Sequence, residues 1–210
     1  GDVHDFGRGG DDATGSQLGV RIQNGADIVG GTAGTVLVKG AGGPSTGPGN
    51  FGVLLTGTGS VISSAGAGIQ VIGIEGTGTD SSGLVIQNSG TITTQSGGGD
   101  VSLVSDSMNF NGTADIRTQP TGKVSLMPYN PGIPVNLGIA TTVVGGLLSL
   151  TEAELDRIST GTLEIGSATC GEVQISTPIT RTAMTHVNLT SGTFVNLGVG
   201  PLTTTGGDVM

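Results

Sequence analysis

The chain has 210 residues, 42 of them glycine and 8 proline; hydrophobic residues make up 34%, charged residues 11% and aromatic residues 2%, and the net charge is −9. Glycine and proline approach low-complexity levels, yet disorder goes with low hydrophobicity and high charge, which is the reverse of this composition. Seven Lys and Arg are too few for a nucleic-acid stripe or an anionic-lipid surface, and no stretch reaches the roughly 18 apolar residues of a membrane span.

Residues 1–17 are rich in Gly and Asp (Asp2, Asp5, Asp11, Asp12), show little alternation, and read as a loose or partial N-terminal coil. The chain begins at Gly1 with neither a start methionine nor a signal peptide, and reads as a processed or excerpted piece. From 18 to 127 a repeat takes over. GVRIQNGADIV from Gly19 returns as GVLLTGTGSVI from Gly52 and as GLVIQNSGTIT from Gly83, at spacings of 33 and 31. One, three and nine places after each glycine the residue is apolar: Val20, Ile22, Ile28; Val53, Leu55, Val61; Leu84, Ile86, Ile92. A second set follows: Val36 and Val38, Ile69 and Val71, Val101 and Leu103. Alternation at period two predicts strands, and the glycine-rich connections predict turns. Recurrence at this interval predicts a stack whose units bury a core only collectively. GGPSTGPG, Gly42 to Gly49, predicts a loop bulging from one coil, because Pro44 and Pro48 do not fit a central ladder. Two VSL triplets start at Val101 and Val124.

Pro128, Pro131 and Pro134 break the pattern and open a transition over 128–160. Within it, Gly145 to Ile158 holds the one convincing helix, near 151–158. Thr151 can cap it, and Glu154 stands three residues later, the spacing of a capping box. Alternation resumes over 161–210 in Thr162–Ile165, Glu172–Ile175, His186–Leu189 and Phe194–Leu197. The predicted fold class is all-β: a right-handed parallel β-helix (β-solenoid) with one short helix. Each repeat of roughly 32 residues reads as two coils. At roughly 16 to 22 residues per coil and about 4.8 Å per step, that predicts about ten coils and a rod about 50 Å long. Val, Ile and Leu take the inward positions, Thr, Ser, Gln and Asn the outward ones, and glycines the corners.

Three phrases carry a resemblance: LLSLTEAELDRISTGTLEIGS from Leu147 to Ser167, GEVQISTPI from Gly171, and DVSLVSDSMNFNGTADIRT from Asp100. They resemble a module common in very long bacterial surface proteins, the filamentous-haemagglutinin-like adhesins and related autotransporter or two-partner-secretion passengers. The likeness covers residues 83–200 well and the N-terminal part by style. It implies stretches of right-handed parallel β-helix in a secreted stalk or adhesive fibre at the bacterial cell surface. The partners it implies are like subunits, adjoining repeats of the same chain, or glycans or proteins of a host or neighbouring cell. The family's amino-terminal secretion-signal domain is not visible in the chain, so the resemblance carries no secretion route.

Chemistry-bearing residues are sparse. His4 and His186 are the two histidines, and His186, in THVNL, points outward if Val187 points in. Glu152, Glu154 and Asp156 suit the dipole at a helix N-terminus. Cys170, the single cysteine, excludes an intrachain disulfide and a cysteine zinc site, and reads as a small buried hydrophobe. Ser107, Asn109, Asn111 and Gly112 follow part of an EF-hand loop without its leading Asp or final Glu. GTGTDSS from Gly76 approaches a calcium nonapeptide, with Glu75 in place of its first glycine and Ser82 in place of a large apolar residue. Gly122-Lys123 lacks the remainder of a phosphate loop. Asn111-Gly112-Thr113 and Asn188-Leu189-Thr190 fit the glycosylation pattern. The sequence therefore assigns no catalytic, cofactor-binding or metal residue. Its leading functional expectation is a non-catalytic structural or adhesive fibre segment. A polysaccharide-binding or polysaccharide-cleaving β-helix of the tailspike kind is the alternative, and scarce aromatic and charged side chains weigh against it. An ice-binding solenoid would want threonine on every coil, whereas Thr91, Thr93 and Thr94 and the run Thr203 to Thr205 are local.

Overall fold

A computed structural model describes residues 1–95, 97, 99–139, 146–183, 185–198 and 200–210. Among them the chain is nearly all β, with 22 strands and one four-residue helix. The strands come in sets that follow the repeats. β1 (Val3–Arg8), β2 (Val20–Gln23) and β3 (Asp27–Gly30) form the first set. β4 (Val36–Ala41), β5 (Val53–Thr56) and β6 (Val61–Ser64) form the second, and β7 (Ile69–Ile74), β8 (Leu84–Gln87) and β9 (Thr91–Thr94) the third. β10 (Val101–Val104), β11 (Met108–Phe110) and β12 (Asp115–Arg117) follow. The fifth set is longer: β13 (Lys123–Met127), β14 (Val135–Leu137), β15 (Leu148–Leu150), helix α1 (Glu152–Leu155) and β16 (Ile158–Ser159). β17 (Thr162–Gly166), β18 (Val173–Ile175) and β19 (Ile179–Arg181) precede the last set, β20 (His186–Thr190), β21 (Val195–Asn196) and β22 (Leu202–Thr204).

First strands pair with first strands. They build a seven-stranded sheet in the order β1-β4-β7-β10-β13-β17-β20. The other sides are β2-β5-β8-β11, β3-β6-β9-β12-β16, β15-β14-β18-β21 and β19-β22, and every pairing is parallel. The register stacks like on like. Val36, Ile69, Val101, Val124, Leu163 and Val187 form one column, and Val38, Val71, Leu103, Leu126 and Ile165 the next. All are buried. The glycine-phased triplets stack likewise, as Val20–Val53–Leu84 and Ile22–Leu55–Ile86–Phe110. No rung could shield these side chains alone, so the core exists only as columns.

The structure departs from the sequence reading in four places. Each repeat of the first half is one three-strand rung, not two coils: successive first strands are offset by 33 residues (Val3 to Val36, Val36 to Ile69) and 32 (Ile69 to Val101). The offset then changes to 23 (Val101 to Val124), 39 (Val124 to Leu163) and 24 (Leu163 to Val187). Seven strands at about 4.8 Å span about 29 Å, shorter than about ten coils would give. Second, the inward residue of β6 is Ile62, paired with Ile28 and Ile92, while Val61 is only half-buried. The turn Gly57–Ser60 has one residue more than Asn24–Ala26, which shifts the phase. Third, the Gly- and Asp-rich start is not loose over Val3–Arg8, where it carries β1, paired along its whole length with β4 as a partial coil would be. Fourth, the Gly42–Gly49 loop does not bulge alone. It is sandwiched between its counterparts in neighbouring rungs, with Gly43 N donating to Gln17 O (2.8 Å), Ser16 N to Pro48 O (2.8 Å) and Gly49 N to Thr79 O (3.2 Å). Helix α1 lies inside the predicted 151–158 window; Gly145, the start of the predicted helical stretch, and residues 140–144 of the transition lie outside the described residues.

Rungs close by backbone contact. Gly7, Gly40 and Gly73 share the inward phase of the large sheet, and each faces the carbonyl of Gly19, Gly52 or Gly83 so closely that a Cβ would sit 1.9, 2.0 or 2.1 Å from that oxygen.

Candidate functional site

The stack presents two ends of opposite character. At one end, β1 places Asp5 in the inward phase, opposite buried Val38, where every other rung of that column carries an aliphatic residue. At the other, Val173 is covered by Val195 and Ile179 by Leu202, and nothing among the described residues covers those two in turn. Phe194, Leu197, Val209 and Met210 are exposed there, and Leu197, Pro201, Leu202 and Val209 edge an open cavity of about 590 Å³. Val209 pairs with Val187, beside hydrogen bonds from Val187 N to Asp208 O (2.8 Å) and from Met210 N to Val187 O (2.9 Å).

The acidic group of the transition is a structural hub. The capping box forms as its spacing predicts: Glu154 N donates to Thr151 Oγ1 (3.2 Å) and Thr151 N to Glu154 Oε2 (2.9 Å). Glu154 is not a solvated dipole partner, however. It is buried, and its Oε1 accepts from the backbone N–H of Phe110 in β11 (3.1 Å). Burial pushes its carboxyl above the usual range, and the hydrogen bonds from Thr151 and Phe110 oppose that shift without cancelling it. Glu152 Oε1 accepts from Thr180 N (2.8 Å). Arg181, which the sequence reading passed over, is fully buried and donates to the carbonyls of Leu155 and Ile158, the latter at 2.7 Å, with Asp156 at 3.7 Å. Desolvation lowers its guanidinium from the usual range, and Asp156 works against that. The only sequence signal for it is that Arg181 shares the alternation phase of buried Ile179.

The remaining singled-out residues do not converge. His4 is exposed and stacks edge-on to Phe6 at 6.1 Å. His186 points outward while Val187 is buried; its Nδ1 accepts from Asp208 N (3.2 Å). Cys170 is buried, its thiol directed at the Ser167 carbonyl (3.1 Å). Ser107 receives Gly83 N (2.8 Å) and donates to Glu75, while Asn109, Asn111 and Gly112 belong to β11 and the turn after it. GTGTDSS is the third layer of the loop stack. Lys123, after Gly122, pairs with Glu164 (3.1 Å). Asn111 is exposed in its turn, and Asn188 is half-buried in β20. Thr91 stacks with Asp27, Val61 and Asp115, and Thr93 with Val29, Ser63 and Arg117, so threonine does not repeat down either column. Among the described residues, no three His, Cys, Asp or Glu side chains gather as metal ligands, and no helix is long and apolar enough to cross a membrane.

Comparison with family models, curated proteins and solved structures gives no match to the chain.

Proposed function

We propose that the chain is a non-catalytic structural or adhesive segment of an extracellular bacterial surface fibre, built as a right-handed parallel β-helix. The crossover rule supports the right-handed form, since parallel strands of one sheet are joined right-handed in about 98% of cases. The observation that carries the reading is the aliphatic register of the seven-stranded sheet, unbroken from Val36 to Val187. Such a stack is stiff along its axis, because each rung hydrogen-bonds the next, and it lengthens by adding rungs rather than by enlarging a core. The acidic and basic side chains it buries, Glu154 and Arg181, both hold backbone groups, Glu154 at the wall of an open cleft of about 540 Å³ that Glu152 and Arg157 also line.

Asp5 supports extension within one chain over stacking of copies. A copy stacked on β1 would bring an apolar face, from a stretch (182–210) with no Lys or Arg, and would enclose the Asp5 carboxylate unpaired. Adjoining repeats of the same chain are therefore the first partners, and like subunits the second. Surface glycans or proteins of other cells are the adhesive targets. Immunogold labelling of intact cells with antibodies against residues 1–210 tests this reading. Label along filaments outside the cell is the expected result; label confined to the cell interior refutes it.

A further inference from the structure

The outer face of the seven-stranded sheet concentrates the very side chains the composition lacks. One column there runs Phe6, Lys39, Ile72, Val104, Met127. Phe6 is 61% exposed, and the aliphatic members are half-buried. Tyr129 joins this patch, since Lys39 Nζ lies 5.8 Å from its ring centroid. Its backbone is fixed by Asp106, whose Oδ1 accepts from Tyr129 N (2.8 Å) and Asn130 N (2.9 Å). Arg8 lies on the same face of β1 as Phe6. Among the described residues Arg8 and Lys39 have no ion-pair partner, as is also true of Arg21 and Arg157 elsewhere, whereas Arg117, Lys123 and Arg181 are each paired; Arg8 and Lys39 are the two that share one face. Phe6, Arg8 and Lys39 line an open cleft of about 440 Å³. A second cleft of about 330 Å³, edged by His4, Gln70, Ser102 and, at its rim, Asp100, occupies the same face two residues along each strand. The Ser102 hydroxyl there is shielded from solvent and without a partner among the described residues.

We propose that this face binds a carboxylated saccharide, a uronate-bearing chain laid across the strands; the proposal rests on the reading of the molecule as a non-catalytic surface segment. Arg8 and Lys39 hold the carboxylate, where a guanidinium offers a planar fork and an ammonium a point charge. The Phe6 and Tyr129 rings cover the apolar C–H face of the sugar. Gln70, exposed on that face, meets its hydroxyls. Two unpaired cations select an anion, and the aromatic faces beside them select a ring rather than an extended acidic peptide.

The chain has one tyrosine and no tryptophan, so ultraviolet emission reports Tyr129 directly. Titration with tetragalacturonate is expected to change that emission saturably, less so as salt is raised. The fully methyl-esterified tetramer, the same rings without charge, and polyaspartate, charge without rings, are each expected to bind about tenfold more weakly or worse. Arg8→Gln with Lys39→Gln lowers affinity for the acid at least about tenfold and leaves the ester's unchanged; Phe6→Ala weakens both, with folding checked by circular dichroism. Absence of a saturable change, equal binding of the ester or of polyaspartate, or an unaffected double variant overturns the proposal. Cleavage of the tetramer would support the site and sink the non-catalytic reading; absence of binding would remove the site and leave that reading standing.

Discussion

Replacing Gly40 with alanine asks whether the rungs really close backbone on backbone. The new Cβ would lie 2.0 Å from the Gly52 carbonyl oxygen and 2.9 Å from a Val53 methyl. A carbon and a carbonyl oxygen rest at about 3.3 Å, so the two backbones must part by about 1.3 Å. Neither can do so alone. β4 is paired over six residues with β1 and over six with β7, and the Gly52 oxygen already accepts from Val20 N at 2.9 Å. Close-packed interiors transmit such a displacement rather than absorb it. Overpacking usually costs 1–3 kcal/mol; with backbone on both sides of the clash, about 3 kcal/mol or more is expected. For a chain of this size that lowers the Tm by roughly 6–12 °C. Two controls separate shape from conformation. Gly25 has φ +79° with nothing within 4 Å of a Cβ, so Gly25→Ala carries only left-handed strain, about 1 kcal/mol. Gly7 meets Gly19 O at 1.9 Å but sits on an edge strand that can tilt away, so Gly7→Ala costs less than Gly40→Ala. Thermal and urea unfolding followed by far-ultraviolet circular dichroism give the order. If Gly40→Ala melts with the unsubstituted chain, or if Gly25→Ala is the worse of the two, the close approach of the glycine columns is wrong.

Asn50 staples three rungs: it is fully buried, its Oδ1 accepts from Gln17 N (3.0 Å), and its Nδ2 donates to Gly47 O (2.8 Å) and Thr77 O (2.5 Å). Asn50→Ala is expected to cost about 2–4 kcal/mol and to open the loop stack to proteinase K, whereas cleavage no faster than in the unsubstituted chain would show the staple to be idle. Glu154, with its carboxyl raised above the ordinary value of 4.5, holds its proton more tightly folded than unfolded. Its contribution to stability is therefore full below pH 4.5 and lost as pH rises through the folded value, a decline that Glu154→Gln should abolish; parallel pH profiles of unfolding would contradict it. Asp5→Val completes the aliphatic column at the acidic end, so sedimentation velocity should reveal concentration-dependent association that Asp5→Asn gives less strongly. Identical sedimentation of all three proteins would mean that Asp5 does not guard that end.

What was legible in the sequence is what depends on near neighbours. The triplets after Gly19, Gly52 and Gly83 fall into register at the spacings of 33 and 31 read from the repeats, and the two VSL triplets pair residue for residue. The Thr151–Glu154 box needs only a three-residue spacing and forms as read. Rung count was not legible, because it depends on which strands meet after a full circuit, and two sides of one rung look locally like two coils. The Val61 phase slip hides in one extra turn residue. Asn50, Arg8 and Lys39 were invisible for a related reason: a lone polar or basic residue gains meaning only from the rungs above and below it, and those lie more than 20 residues away.

The irregular fifth rung follows from the same logic. Rungs of 33, 33 and 32 residues give way to one of 23, which omits the stacked loop. β15 then turns back to the side of β14 away from β18, in contact with β11 but outside its ladder, so the two sheets meet at a seam. A seam leaves backbone groups unpaired, and buried orphan groups are costly. Here Glu154 accepts the Phe110 N–H; at a second break, between the sheet that ends in β16 and the separate β19-β22 pair, Arg181 donates to the carbonyls at the end of α1 and at Ile158. An acidic and a basic side chain, both buried, thus bind backbone rather than each other, and do at these breaks what the ladder does elsewhere. Their strongest requirement is a fixed geometry. The charged residues of the transition are better understood as the splice that lets rungs of unequal length share one continuous aliphatic core.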